Sequence, residues 1–234
     1  MRKIAVIVAG GSGQRMGVPT PKQFLEVNGK PLIWHTINAF LQAFTDIELV
    51  IVLPETHLNA GKQITASFLS ANIHLTIGGA TRFHSVQKGL QLLDTTNSIL
   101  FVHDGVRCLI TPDLIKRCYR QAIEKGSAIP AVGATDSIRI ETENEESVVA
   151  DRNKVRIIQT PQTFRSELLL PAFNQPYTES FTDEATVVEA FGKRVFLIEG
   201  ECDNLKITRP IDLLVAEKIM EERDLSKKDN NFIS

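Results

Sequence analysis

Short, nearly continuous apolar runs alternate along this chain with segments whose apolar residues return every three or four positions. Beside a strand predicted near Ile73 to Ile77, Ile4 to Ala9, Ile47 to Leu53, Ile99 to Val102 and Ala128 to Val132 are such runs, several of them rich in Val and Ile and closed by Gly or Pro. That is the pattern of strands covered on both faces. Between them, Leu32 to Phe44 carries Ile33, Ile37, Phe40, Leu41 and Phe44 at helical spacing. Further helices are predicted to about Leu69, over Val86 to Leu93, over Pro112 to Lys125 and after Pro210. The Pro112 helix has Thr111 as N-cap, Pro112 at its first position and Gly126 beyond its end. Strands that alternate with helices predict an α/β fold, three αβα layers about a mostly parallel, Rossmann-like sheet, with ligands at the carboxyl ends of the strands.

The alternation breaks after Val132. Asp136 to Val149 alternates apolar and polar residues around the acidic stretch Glu141 to Glu146, which predicts a two-stranded β-arm occupying about 136–158. On its returning strand, period-two geometry would place Arg152, Lys154 and Arg156 on one face. An isolated hairpin is marginal in water, so an arm of this kind is expected to pack on a second copy as a homodimer. Past Glu222 the chain turns polar, and residues 223–234 are expected to form a flexible tail.

Length and charge bound the rest. The 234 residues suffice for one good core, so a single domain over 1–234 is expected, and the net charge of −2 gives no case for nucleic-acid binding. The N-terminal apolar stretch falls well short of the ~20 residues that span a bilayer. Cys108, Cys118 and Cys202 are too few and too scattered for a disulfide framework. They predict reduced thiols in a cytoplasmic protein.

The strand-to-helix junctions carry the chemistry. The first run empties into Gly10-Gly11-Ser12-Gly13-Gln14-Arg15-Met16-Gly17 and then Pro21-Lys22-Gln23-Phe24, with no acidic residue before Glu26. Glycines let backbone N–H groups close on an anion, and Arg15 and Lys22 add charge. The loop lacks the Gly-Lys-Ser/Thr of a Walker phosphate loop, and its Gly11-x-Gly13-x-x-x-Gly17 spacing is one residue too long for a dinucleotide fingerprint. A nicotinamide-dependent oxidoreductase is therefore a distant alternative. Gly78-Gly79-Ala80-Thr81-Arg82-Phe83-His84-Ser85 repeats the pattern at a helix start, where the dipole favours anions. The fourth run ends in His103-Asp104-Gly105-Val106-Arg107. Asp104 there suits a divalent cation bridging phosphates, and it equally suits a turn cap. His103, alone beside a buried strand, is of a kind more often a hydrogen-bonded core residue than a catalyst, and the sequence assigns it no role.

Taken together, GGSGQRMG, PKQF, HDGVR, DRN with QTPQ, TDEA and DNLKITRP resemble the 2-C-methyl-D-erythritol 4-phosphate cytidylyltransferase family of the non-mevalonate isoprenoid pathway, from Lys3 to about Met220. The resemblance implies a nucleotide-diphospho-sugar transferase type of fold, dimerised through the arm. It implies transfer of a cytidylyl group from CTP to the acceptor phosphate, with release of pyrophosphate and with Mg²⁺ as cofactor. Arg15 and Lys22 would stabilise the transition state, and Gly10, Gly11, Ser12 and Gly13 would cradle the triphosphate. Gly79, Arg82, Ser85 and Gly105 would lie on the nucleotide side, and Asp104 would organise the metal. Lys206 and Arg152, the latter from the partner's arm, would hold the acceptor phosphate, with Arg107, Ser137 and Thr182 near the polyol. The family more often has HDAAR followed by Pro where this chain has Gly105, Val106 and Cys108, and a threonine at Ser137. Val106 is shared with ribitol-5-phosphate cytidylyltransferases, so ribitol 5-phosphate stands as the alternative acceptor.

Overall fold

A computed structural model describes residues 1–11, 20–142, 144 and 146–231, with side chains through 226. The chain runs β1 (Arg2–Val8), β2 (Glu26–Val27), β3 (Lys30–Pro31), α1 (Leu32–Ala43), β4 (Ile47–Leu53), α2 (Leu58–Thr65), β5 (Asn72–Ile77), α3 (Arg82–Gln91) and β6 (Ser98–Asp104). It continues through α4 (Pro112–Lys125), β7 (Ser127–Gly133), β8 (Ile138–Glu141), β9 (Ser147–Ala150), β10 (Arg156–Ile158), β11 (Gln162–Arg165), α5 (Ser166–Ala172), α6 (Glu184–Ala190), β12 (Leu197–Glu199) and α7 (Pro210–Asn231).

Hydrogen-bonded neighbours in the main sheet run β10-β7-β11-β6-β1-β4-β5, with β12 also on β7. The β6-β1-β4-β5 half is parallel, in the register Ile4↔Leu100 and Ile4↔Glu48. β11 enters antiparallel between β6 and β7. The period of two along the strands builds the layers. Ala5, Ile7, Leu49, Ile51 and Phe101 face the core beneath α1 and α4, while Ile4, Val6, Val50, Val52 and Leu100 face the core beneath α3, α5 and α6. Both faces are buried, which is why these strands are near-continuous apolar runs in the sequence.

A third, smaller cluster joins Val27, Leu32, Val106 and Leu109 to Ile207 and Ala216, with Leu205 and Leu213 against it. Leu205 and Ile207 are thereby turned inward, and Ile207 N donates to Val106 O at 3.1 Å. The residue between them, Lys206, is left to project from the opposite side of the segment.

β8 and β9 form their own two-stranded sheet, Ile138↔Ala150 to Glu141↔Ser147, as the arm pattern predicts. Ile140, Val148 and Val149 on it are exposed. The predicted basic stripe is not a strand. Arg152–Lys154 is a single 3-10 turn, because the Asp151 side chain accepts from Asn153 N at 3.1 Å and curls the backbone. Arg152, Lys154 and Arg156 therefore do not share the alternating face expected of them, and β10 is already back on β7. α7 continues past Glu222 to Asn231.

Candidate active site

Three strand ends converge at one edge of the parallel half. β1 leads to Ala9, whose N–H donates to Val52 O at 2.9 Å and whose carbonyl accepts from the fully buried Gln23 Nε2 at 2.8 Å. Gln23 follows Lys22 in a short 3-10 turn, so this bond ties the lysine to the mouth of β1. Lys22 Cε approaches to 3.6 Å of the point where a Cβ on Gly11 would sit.

At the β5–α3 junction, Gly78 N donates to Leu53 O at 2.9 Å and Gly79 N to Ser85 Oγ at 3.0 Å. A Cβ on Gly79 would lie 2.9 Å from the His84 carbonyl carbon, so only glycine lets the loop fold so tightly on the helix start. Thr81 caps α3, accepting from His84 N at 3.3 Å. The junction leaves Arg82 at the first position of the helix, beside the tip of β6.

There, Arg82 Nη2 lies 3.3 Å from Asp104 Oδ1, Lys206 Nζ 2.9 Å from Asp104 Oδ2, and Arg107 Nε 3.7 Å from the same Oδ2. Behind Arg82 stands Glu184, the first residue of α6 and buried, which binds the guanidinium with both oxygens. Burial works to raise the Asp104 pKa, but Arg82, Lys206 and Arg107 outweigh it and hold the carboxyl well below the ordinary carboxylate range. Burial dominates at Glu184 and pushes its pKa up, against the pull of Arg82. Arg82 is the reverse case: burial opposes its charge, yet the two carboxylates raise its pKa.

The polar ground around this wall is tightly bonded. Asp104 N donates to Thr160 Oγ1 at 3.1 Å, and the same hydroxyl meets His103 Nδ1 at 3.0 Å. His103 is fully buried and burial lowers its pKa to about 3, so its ring is neutral and structural, which settles a residue the sequence left without a role. Asn204 Nδ2 donates to Thr160 O at 2.9 Å, while Arg107 Nη1 donates to Asn204 O at 2.8 Å. These bonds fix the segment that carries Lys206. Burial depresses the Arg107 pKa, an effect that neighbouring Asp104 opposes.

Two cavities meet here. The first, about 390 Å³, is bounded by Gly10, Gly11, Lys22, Gly79, Ser85 and Glu55 among others. The second, about 190 Å³, is lined by Arg107, Ile158, Gln159, Thr160, Gln162, Thr182 and Asp183. Arg82, Asp104 and Lys206 line both, forming a charged wall between them.

Most sequence-predicted residues fall on one cavity, on the other or, for Arg82, Asp104 and Lys206, on both. Gly10, Gly11, Lys22, Gly79, Ser85, Arg82, Asp104 and Lys206 surround the first cavity, and Arg107 and Thr182 the second. Gly105 lines neither. A Cβ there would sit 3.0 Å from that of Ala9, so its glycine serves close packing of β6 on β1. Ser137 and Arg152 are exposed beside the arm and line neither cavity of their own chain; Arg152 Nη1 donates to Thr135 O at 2.9 Å. Ser12, Gly13 and Arg15 lie outside the described residues. Sequence reasoning gave no role to Gln23, Thr160, Asn204 or Glu184, although all four fall inside the motifs it singled out.

Among the described residues no group of three or more His, Cys, Asp or Glu side chains could hold a metal ion. Arg82 holds Asp104 Oδ1 while Lys206 and Arg107 hold Oδ2, so an ion such as Mg²⁺, which keeps waters and takes its other ligands from phosphates, would have to take the place of the half-exposed Lys206 at Oδ2.

The family described as IspD, 2-C-methyl-D-erythritol 4-phosphate cytidylyltransferase, matches residues 3–222. The chain is 41% identical over 221 residues to the 2-C-methyl-D-erythritol 4-phosphate cytidylyltransferase of Bacteroides thetaiotaomicron, covering 94% of this chain and 100% of that protein. It is 37% identical over 223 residues to the enzyme of the same name from Alkaliphilus oremlandii, covering 93% and 94%. The crystal structure of 4-diphosphocytidyl-2C-methyl-D-erythritol synthase from Anaerococcus prevotii superposes with a TM-score of 0.81 at 26% identity, covering 94% of this chain and 99% of that one. The 2-C-methyl-D-erythritol 4-phosphate cytidylyltransferase of Thermus thermophilus gives 0.72 at 29% identity, covering 94% and 98%. The chain belongs to the 2-C-methyl-D-erythritol 4-phosphate cytidylyltransferase family.

Proposed function

We propose that this chain transfers the cytidylyl group of CTP to 2-C-methyl-D-erythritol 4-phosphate, giving 4-diphosphocytidyl-2-C-methyl-D-erythritol and pyrophosphate. The observation that carries the reading within the family is the pair of cavities with one cationic wall. The first, at about 390 Å³, is within the range of small-molecule sites, and the second, at about 190 Å³, adjoins it across that wall. A reaction that joins two phosphates needs such an arrangement.

In this reading an acceptor phosphate oxygen attacks the α-phosphorus of CTP, the new P–O bond forms, and the bond to the β-phosphate oxygen breaks as pyrophosphate leaves. The nucleophile arrives already anionic, so no general base is required. That agrees with a His103 whose ring is buried, neutral and engaged on both nitrogens. The protein contributes positioning and charge. Lys22 and Arg15 meet the charge that accumulates at the α-phosphate, Gly10 and Gly11 border the triphosphate together with Ser12 and Gly13 of the same motif, and Gly79 and Ser85 shape the nucleoside end. Lys206 and Arg107 receive the acceptor phosphate and Thr182 its hydroxyls. Asp104 with phosphate oxygens would hold Mg²⁺, which neutralises phosphate charge when bound.

The homodimer belongs to the same reading. The exposed apolar residues of the arm, Ile140, Val148 and Val149, favour packing on a second copy, and Arg152 and Ser137 beside it would then serve the partner subunit's acceptor site. A cytoplasmic setting follows from the reduced thiols expected of the sequence. The test is pyrophosphate release with CTP, ATP, GTP and UTP against 2-C-methyl-D-erythritol 4-phosphate and ribitol 5-phosphate. Release confined to CTP with the methylerythritol acceptor is expected; preference for ribitol 5-phosphate, or for another nucleotide, overturns the assignment.

A further inference from the structure

We infer that Glu184 is a positioning residue for the transfer: by gripping Arg82 from behind, it sets where the Asp104 carboxylate stands in the wall between the two cavities. The inference rests on the function proposed above. Glu184 is 1% exposed and lines neither cavity, so it does not touch substrate. It meets Arg82 with both oxygens, Nη1 on Oε1 and Nη2 on Oε2, the latter at 3.0 Å. Arg82 then reaches Asp104 Oδ1 with Nε at 3.4 Å and Nη2 at 3.3 Å, and the other carboxylate oxygen lies 2.9 Å from Lys206. The ion-pair chain therefore runs unbroken from the start of α6 to the lysine on the acceptor side.

Packing alone does not call for a carboxylate at this position. The start of α6 is already secured by the reciprocal Asp183–Thr186 capping box. Ala185 N donates to Gln162 Oε1 at 2.7 Å and Gln162 Nε2 to Asp183 Oδ2 at 2.8 Å. Ala185, Val187 and Val188 anchor the helix in the core. A buried charge is expensive unless it is paired, and a neutral side chain of equal volume would fill the space without that expense. What the carboxylate adds is a fixed, two-point hold on a guanidinium.

The consequence follows from how Arg82 divides itself. It is shared between two carboxylates, tightly by Glu184 and more loosely by Asp104. Without the charge on Glu184 the guanidinium keeps Asp104 as its only ion-pair partner among the described residues, closes on Oδ1, and draws the carboxylate away from Lys206. The acceptor-side lysine then loses its reference point while the nucleoside end of the first cavity, built from backbone and Ser85, stays as it was.

The experiment is steady-state kinetics on the full-length wild type, Glu184→Gln, Arg82→Met and the double variant, with CD and thermal melting on each. Glu184→Gln is expected to lower kcat about tenfold or more while KM for CTP changes less than about twofold. Because Glu184 acts through Arg82, the double variant is expected to match Arg82→Met within about twofold, whereas a residue that only holds the fold together gives losses that multiply. Multiplying losses, or a Glu184→Gln enzyme with wild-type kcat, overturn the inference. If Glu184→Gln does not fold, Glu184→Asp replaces it: it keeps the charge but shortens the reach, and full turnover in that variant also overturns the inference. A wild type that releases no pyrophosphate overturns the functional reading and this inference with it; an active wild type with an equally active Glu184→Gln overturns the inference alone.

Discussion

Lys206 Nζ stands 2.9 Å from Asp104 Oδ2, in the wall that both cavities share. The lysine is held by its neighbours Leu205 and Ile207, which are pinned in an apolar cluster, and by Asn204, bonded to Thr160. Its ammonium is thus placed by the fold before any substrate arrives. Lys206→Met should weaken kcat/KM for the acceptor by roughly 10–100-fold, the equivalent of one charged hydrogen bond of about 1.5–3 kcal/mol, and weaken CTP binding severalfold less, since the lysine also borders the first cavity. Varying the acceptor at saturating CTP checks this; an equal loss for both substrates would place Lys206 on the nucleotide side.

Lys22 and Arg15 should behave differently. If they meet charge that develops only as the α-phosphorus is attacked, Lys22→Ala and Arg15→Ala lower kcat by about 10²–10³ and change the dissociation constant for CTP far less. Calorimetric CTP binding beside single-turnover rates separates the two quantities. Matching losses would mean that the cations bind the ground state.

The arm makes a prediction about mixtures. Arg152→Ala and Lys22→Ala enzymes, each inactive alone, should recover activity when combined under conditions of subunit exchange. One of the two sites in each hybrid is then intact, so random pairing of equal amounts yields roughly a quarter of the wild-type rate. No recovery, with exchange verified by labelled chains, would show that each site is complete within its own subunit.

Asp212 links stability to pH. Its Oδ2 accepts from Thr208 N at 2.8 Å, Thr208 Oγ1 at 3.0 Å and Arg209 N at 2.8 Å, closing the start of α7 just beyond Lys206. Partial burial works to raise its pKa, but these donors prevail and lower it. A depressed carboxyl stabilises the fold above its unfolded value, about 3.9, and that stability is lost as pH falls through the folded value. Asp212→Asn should cost about 0.3–1 kcal/mol near neutral pH, the worth of a carboxylate charge in a helix's first turn, and the difference from wild type should shrink below about pH 4. Urea unfolding at several pH values measures it; a difference that does not vary with pH would assign the effect to shape alone.

Much of the sheet was legible because its parallel half is buried on both sides. A strand that must be apolar at every position announces itself as a run, and β1, β4 and β6 do so, whereas the half-exposed edge strand β5 shows alternation instead. The antiparallel additions were harder. β11 follows a corner at Gln159 to Pro161 and shows no long run, and α5 is seven residues with Pro171 inside it, too short for periodicity to register. The turn at Arg152 was misread because alternating charges look the same in a strand as in a 3-10 turn, and only the Asp151 side chain breaks the tie. In the site, residue types that bear charge or lack a Cβ could be picked out one by one. Their pairing could not: Glu184 is 102 positions from Arg82, and Lys206 the same distance from Asp104. Nothing local records which cation answers to which carboxylate.

The shared wall also constrains how such a protein can diversify. Arg82, Arg107 and Lys206 face Asp104 and Glu184, so the groups that separate donor from acceptor also balance each other's charge. A substitution in the wall that welcomed a bulkier or differently charged polyol would disturb the nucleotide lobe at the same stroke. New acceptor ranges are therefore more accessible from the far side of the small lobe, at Ile158 or Thr182, where shape can change without redistributing charge. A library confined to those positions would sample acceptors while the donor remains CTP.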